Sequence, residues 1–218
     1  MVDLRRPSKL QLRLEFLLLY LATPAFIAVV LPPTVMFPAL FLLTALGLFL
    51  LHHSRGFRWK WLFRGLSRVR PYEVLGFTAF VLTSSLLTIY LFAPHAAFEP
   101  LASNPGLMLM IALLYPPLSA LPQELIFRPL FFGRYNPILP DGRGMLVFNA
   151  AVFAFAHLMY WSVIVTIMTF VGGFVFAWAY QVRRSFLMAV ILHSIAGIIL
   201  FGVGLGVFFY SGNVVRPF

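Results

Sequence analysis

Acidic residues are scarce in this chain and cysteine is missing altogether: its 218 residues hold six Asp plus Glu and no Cys, and only 10% are charged. Without cysteine there is no disulfide, no thiolate nucleophile and no Cys-based zinc site. With so little charge, a chain that is 61% hydrophobic and has a mean hydropathy of +0.95 carries more apolar surface than a soluble domain of this size hides. Internal repeats, low-complexity tracts and long polar segments are missing too, so a separate soluble domain is not expected. What remains is an all-α fold: a polytopic transmembrane helical bundle forming one integral domain over residues 1–218.

Apolar runs recur at membrane-spanning length with short connectors. They predict about seven spans, near Leu14–Leu31, Val35–Leu51, Glu73–Phe92, Leu107–Phe132, Met145–Tyr160, Trp161–Tyr180 and Ser185–Phe209. The basic stretch "MVDLRRPSKLQLRLEF" precedes the first run without a small-residue cleavage site, which reads as the flank of an uncleaved span.

A net charge of +10 raises the question of nucleic acid, but its distribution answers otherwise. Arg5, Arg6, Lys9 and Arg13, then Arg55, Arg58, Lys60, Arg64, Arg68 and Arg70, then Arg134 and Arg143, then Arg183 and Arg184 fall in alternate inter-span segments. The opposite segments hold only Arg216. This is an orientation signal that predicts a cytoplasmic N-terminus and an outer C-terminus, with the lipid bilayer and not nucleic acid as the partner. A bacterial cytoplasmic (inner) membrane is the expected location. The connector "HHSRGFRWKWLFRGLSRVRPYE" mixes aromatics with six cations, which suits a topological anchor or an amphipathic element on an anionic leaflet.

Against this apolar background, three groups with acid, base or metal-ligand chemistry lie well inside spans: Glu124, His157 and His193 on spans four, five and seven. At about 1.5 Å of rise per residue, all three fall roughly 12 to 18 Å below the basic surface, which predicts one shared hydrated pocket. Arg128 follows Glu124 by four residues and shares its helical face, so the two are expected to pair. Asn149 lies two turns from His157 on span five and is read as out of its reach. A carboxylate and two imidazoles permit two chemistries. Glu124 reads either as a general base on water with the histidines orienting it, or with them as one of three ligands of a zinc ion that acidifies the water. Spacing alone does not choose between them.

The stretches "QELIFR" (Gln123 to Arg128), "FAFAH" (Phe153 to His157) and "HSIAG" (His193 to Gly197) resemble the three motifs of the CPBP family, also called the ABI family, which includes the CAAX prenyl endoproteases. The resemblance covers about residues 107–209, the expected catalytic core. It implies an intramembrane endopeptidase, glutamate-dependent and without a required cofactor, acting near the cytoplasmic side on membrane-tethered peptide or protein substrates, lipidated ones among them. Carried over by position, Glu124, Arg128, His157, His193 and Gln123 form the site. Two positions depart from the family pattern: Gln123 stands where the family has its leading glutamate, and Gly197 where it has an asparagine that helps hold the oxyanion. The departures define the alternative, a non-catalytic membrane regulator or scaffold. Glu124 within reach of both imidazoles marks the enzyme. Glu124 turned onto Arg128, with Gln123 facing the histidines, marks the scaffold.

Overall fold

The computed structural model describes residues 7–54, 56–140, 142 and 144–217. Arg5, Arg6, Arg55 and Arg143 of the charge pattern lie outside the described residues. The described chain is helical throughout and contains no strand. Its main helices are α1 (Lys9–Val29), α2 (Met36–His52), α3 (Pro71–Phe92), α4 (Pro105–Arg134), α5 (Gly144–Ala156), α6 (Val163–Gln181) and α7 (Phe186–Val203). Among the described residues, α1, α3, α4, α6 and α7 are long and apolar enough to cross a membrane, while α2 and α5 are shorter apolar helices. All seven expected runs are therefore helices, five of them at spanning length.

Their ends follow local chemistry. At the start of α1, Ser8 and Gln11 form a reciprocal capping box: the Ser8 hydroxyl accepts from Gln11 N–H, and the Gln11 side chain accepts from Ser8 N–H, which satisfies two otherwise orphaned donors. Within α1 a wide π-helical turn spans Leu18–Ala22, next to Pro24, which has no N–H to return to the Tyr20 carbonyl. The last span was expected to run to Phe209, but α7 stops at Val203. Gly204 leaves the helix at φ 106°, and any Cβ there would lie 1.9 Å from the Ala96 carbonyl oxygen. That close approach, which only glycine permits, lets the α3–α4 connector dock through Phe98 N–H to the Val203 carbonyl at 2.9 Å.

The connectors that carry the basic residues gather at one end. Arg183, after α6, donates to the Arg68 carbonyl at 2.8 Å and pairs with Glu73 at 3.2 Å. At the same end Arg134 grips Glu15 with two bonds of 2.8 and 2.9 Å and reaches the Ser54 hydroxyl. Arg134 thus ties α4 to α1. At the far end Arg216 donates to the Val29 carbonyl at 3.0 Å and also binds the Leu31 carbonyl.

Inside the bundle α5 packs along α6, and α7 packs against both α3 and α6. The resulting core is aromatic, with Tyr20, Phe127, Phe131, Phe153 and Phe176 in one buried cluster. At its centre lie not aliphatic residues but Glu124, Arg128 and Asn149, each with no accessible surface.

Candidate active site

Span four brings most of the polar groups. Helix α4 runs for 30 residues through Pro116, Pro117, Pro122 and Pro129 and takes wide π-helical turns over Pro116–Ala120 and Ile126–Arg134. Proline removes the donor that an ordinary α turn needs, and within a membrane the freed carbonyls must find partners inside the protein. Two carbonyls of the second irregular stretch are met from other helices: the Tyr20 hydroxyl donates to the Ile126 carbonyl at 2.6 Å, and the Asn149 amide donates to the Phe127 carbonyl at 3.0 Å. The irregular stretch is thereby pinned from α1 and α5.

Arg128 is the hub of this stretch. Its Nε donates to Glu124 Oε2 at 2.7 Å and its Nη2 to Oε1 at 3.3 Å. Its remaining terminal nitrogen, Nη1, binds the Asn149 side-chain oxygen. The guanidinium carbon also lies 5.2 Å from the Phe153 ring centre and 5.9 Å from that of Phe176, so aromatic faces complete the cage. The pairing expected from the i, i+4 spacing is present, and Asn149 meets Arg128 rather than His157.

Glu124 has a second partner. His193 Nδ1 lies 2.9 Å from Glu124 Oε1. The carboxylate already accepts from Arg128, so Nδ1 is the donor, and His193 Nε2 is left for other work. The imidazole is stacked on Phe176, centroids 4.8 Å apart and planes 11° from parallel, which fixes its plane. His157 follows the last turn of α5. Its Nδ1 lies 2.8 Å from the Phe153 carbonyl; a carbonyl only accepts, so Nδ1 carries the hydrogen and Nε2 of the neutral ring is an acceptor. Both histidines are therefore anchored through one nitrogen and present the other.

Both rings line a common space. A cavity of about 310 Å³ is lined by His157, His193, Gln123, Ser119, Tyr115 and Gly197 among mostly apolar walls from α3 and α6. A second, smaller cavity of about 110 Å³, bounded by α1 and α2, shares Ser119, Gln123 and His157 with it. Glu124 lines neither and stands behind His193. Gln123, its neighbour, faces both; its Nε2 donates to Ser119 Oγ at 3.0 Å, while its Oε1 is buried without a protein partner. Glu124 thus meets Arg128 and one imidazole, an arrangement between the two expected from the motifs.

A metal fits this set poorly. Both Glu124 oxygens are held by hydrogen-bond donors, one of them a guanidinium cation that repels a second positive charge, which leaves only the two imidazole Nε2 atoms to offer a metal. Among the described residues no group of three or more His, Asp or Glu is placed to hold a metal ion.

A bundle of membrane-spanning helices that encloses a Glu–Arg pair and two imidazoles on spans four, five and seven defines a polytopic membrane protein with a buried polar site. Residues 102–199 match the family model described as Type II CAAX prenyl endopeptidase Rce1-like. The match takes in all three motifs and bears out the resemblance over that part of the chain. No curated protein and no solved structure matches.

Three contributors escaped the motif reading: Asn149, Ser119 and Tyr115. Asn149 gave no sign of its partner, since the bond to Arg128 depends on how α5 crosses α4. Tyr115, Ser119 and Gln123 did carry a signal, because they recur every four residues and so share one face of α4.

Proposed function

We propose that the protein is an intramembrane endopeptidase whose glutamate acts on water through a histidine. The observation that carries this reading is the Glu124–His193 contact at 2.9 Å, with the His193 ring lining the cavity. A carboxylate on Nδ1 fixes the imidazole tautomer and stabilises the imidazolium once Nε2 takes a proton. In the proposed reaction His193 Nε2 removes a proton from water as the water oxygen attacks the scissile carbonyl carbon. The same nitrogen then returns that proton to the amine as the C–N bond breaks. His157 Nε2, an acceptor, holds the second hydrogen of the water. Arg128 and Asn149 keep the Glu124 carboxylate aimed and ionised. The apolar walls suit hydrophobic side chains or a lipid group of a membrane-tethered substrate, and the proposed reaction uses no metal.

The test is cleavage of fluorogenic peptides, membrane-inserted and C-terminally prenylated, by the purified protein in phospholipid vesicles. Wild type is expected to cleave, and both Glu124→Gln and His193→Ala to lose activity by ~10²-fold or more, the usual share of a general base. Chelation is expected to leave the rate unchanged. The second reading, a non-catalytic regulator, is favoured by Gln123 facing the cavity while Glu124 is turned onto Arg128. A folded wild type that cleaves none of these peptides would make it the better one.

A further inference from the structure

The two positions that depart from the motif pattern, Gln123 and Gly197, are joined in space by a third residue. Tyr115, Ser119 and Gln123 line the cavity together with both histidines. Gln123 Nε2 donates to Ser119 Oγ at 3.0 Å, and Tyr115 stands one helical turn before Ser119 on the same face of α4. A serine oxygen that accepts from an amide still has its own O–H to give. Turned toward the phenol oxygen one turn away, that O–H would leave the Tyr115 O–H to donate outward. A carboxylate at position 123 has no hydrogen to give and would take the serine hydrogen instead.

Gly197 decides where that phenol stands. It follows His193 by one turn of α7, and a Cβ built on it would fall 2.1 Å from the Tyr115 ring and 2.6 Å from its hydroxyl oxygen. The phenol thus occupies the volume that any side chain at 197 would take. Its ring meets His193 edge-on, centroids 6.0 Å apart at 70°. A neutral O–H donor, ionising only near pH 10 in its ordinary state, is held beside the imidazole in a mostly apolar space.

We infer that Tyr115 supplies the hydrogen bond that holds the oxyanion when a peptide carbonyl is attacked, and that Ser119 and Gln123 are positioning residues that orient this donor. The inference rests on the peptidase reading above. As the water oxygen bonds to the carbonyl carbon, the C=O electron pair moves onto oxygen and receives the Tyr115 hydrogen bond. The phenol keeps its proton, and the pair returns to re-form C=O as the C–N bond breaks.

Tyr115→Phe removes the hydroxyl and leaves the ring against Gly197, so the packing survives. With the same peptides in vesicles, this variant is expected to lose ~10²- to 10³-fold in kcat with KM little changed, the usual effect of deleting one oxyanion donor. Ser119→Ala is expected to lose less in kcat, and Ser119→Thr to recover it. A peptidyl phosphinate, which mimics the tetrahedral anion, is expected to bind Tyr115→Phe ~10²-fold more weakly than wild type, while an uncleaved substrate peptide binds both alike. Tyr115→Phe with wild-type kcat and phosphinate affinity, beside an inactive His193→Ala, overturns the inference and leaves the peptidase reading standing. A folded wild type without activity overturns both.

Discussion

At the residue scale, the protein devotes its most protected position to charge. Arg128 heads the fully buried side chains by size, and its guanidinium matches a carboxylate in fork geometry that lysine does not offer. Removing one partner strands the other in an apolar interior. Arg128→Met is therefore expected to destabilise the fold by about 3–5 kcal/mol, read as a lowered unfolding midpoint in detergent, and Arg128→Lys to recover only part of it. Asn149→Ala is expected to cost about 1–3 kcal/mol, since it leaves an Arg128 N–H and the Phe127 carbonyl unmatched. The charged half of the site was legible in the sequence because Glu124, Arg128, His157 and His193 stand out against an apolar background. Asn149 was not, because a neutral amide in a span signals nothing about its partner. Gly197 was legible as a departure, but its reason lies on another helix, in the Tyr115 ring.

At the element scale, α4 is shaped by the places where it is not an ordinary α-helix. The prolines announced some re-aiming of side chains, but not the extent of the wide turn over Ile126–Arg134, nor that Tyr20 and Asn149 would complete it. Pro129→Ala gives the Leu125 carbonyl its ordinary donor back and is expected to tighten this turn and rotate Arg128 away from Glu124. Misplacement of a catalytic group by even 1 Å costs about 10²-fold in rate, so cleavage is expected to fall by about that factor while the helical circular-dichroism signal persists. Tyr20→Phe removes one hydrogen bond to the same turn and is expected to cost about 1 kcal/mol, again read from the unfolding midpoint. The end of α7 followed a different rule: the hydropathy of "FGVGLGVFF" runs on past Val203, and it is the approach of the Ala96 carbonyl to Gly204 that stops the helix.

At the scale of the whole molecule, the charge pattern and the fold agree on which connectors share an end. Gly65 meets Arg184, Arg183 meets Arg68 and Glu73, and Arg134 meets Glu15 and Ser54. The short 3₁₀ helix Trp59–Phe63 at this end exposes Trp59, Trp61 and Phe63 beside Lys60 and the flanking Arg58 and Arg64, a surface suited to anionic lipid. Orientation is testable because the native chain has no cysteine. A cysteine at exposed Ser8 is expected to react with an impermeant maleimide only from the cytoplasmic side, and one at exposed Asn213 only from the opposite side. The reverse labelling would overturn the positive-inside assignment. Seven apolar helices were legible from hydropathy, and one shared pocket from the depths of its polar residues, whereas which five helices reach spanning length and the withdrawal of Glu124 behind His193 required the structure.

The Arg128 cage also constrains how the chain enters the membrane. Helix α4 carries a carboxylate and a guanidinium in the second half of its apolar run, each opposed by up to roughly 2.5–3.5 kcal/mol, the cost at a helix centre, yet the groups that receive them lie on α5 and α7, synthesised later. Until Asn149 and His193 arrive, only the internal Glu124–Arg128 pair offsets that opposition. Biogenesis therefore has a vulnerable interval: a nascent chain halted after α4 is a poor resident of the bilayer, and its retention depends on completing the last span.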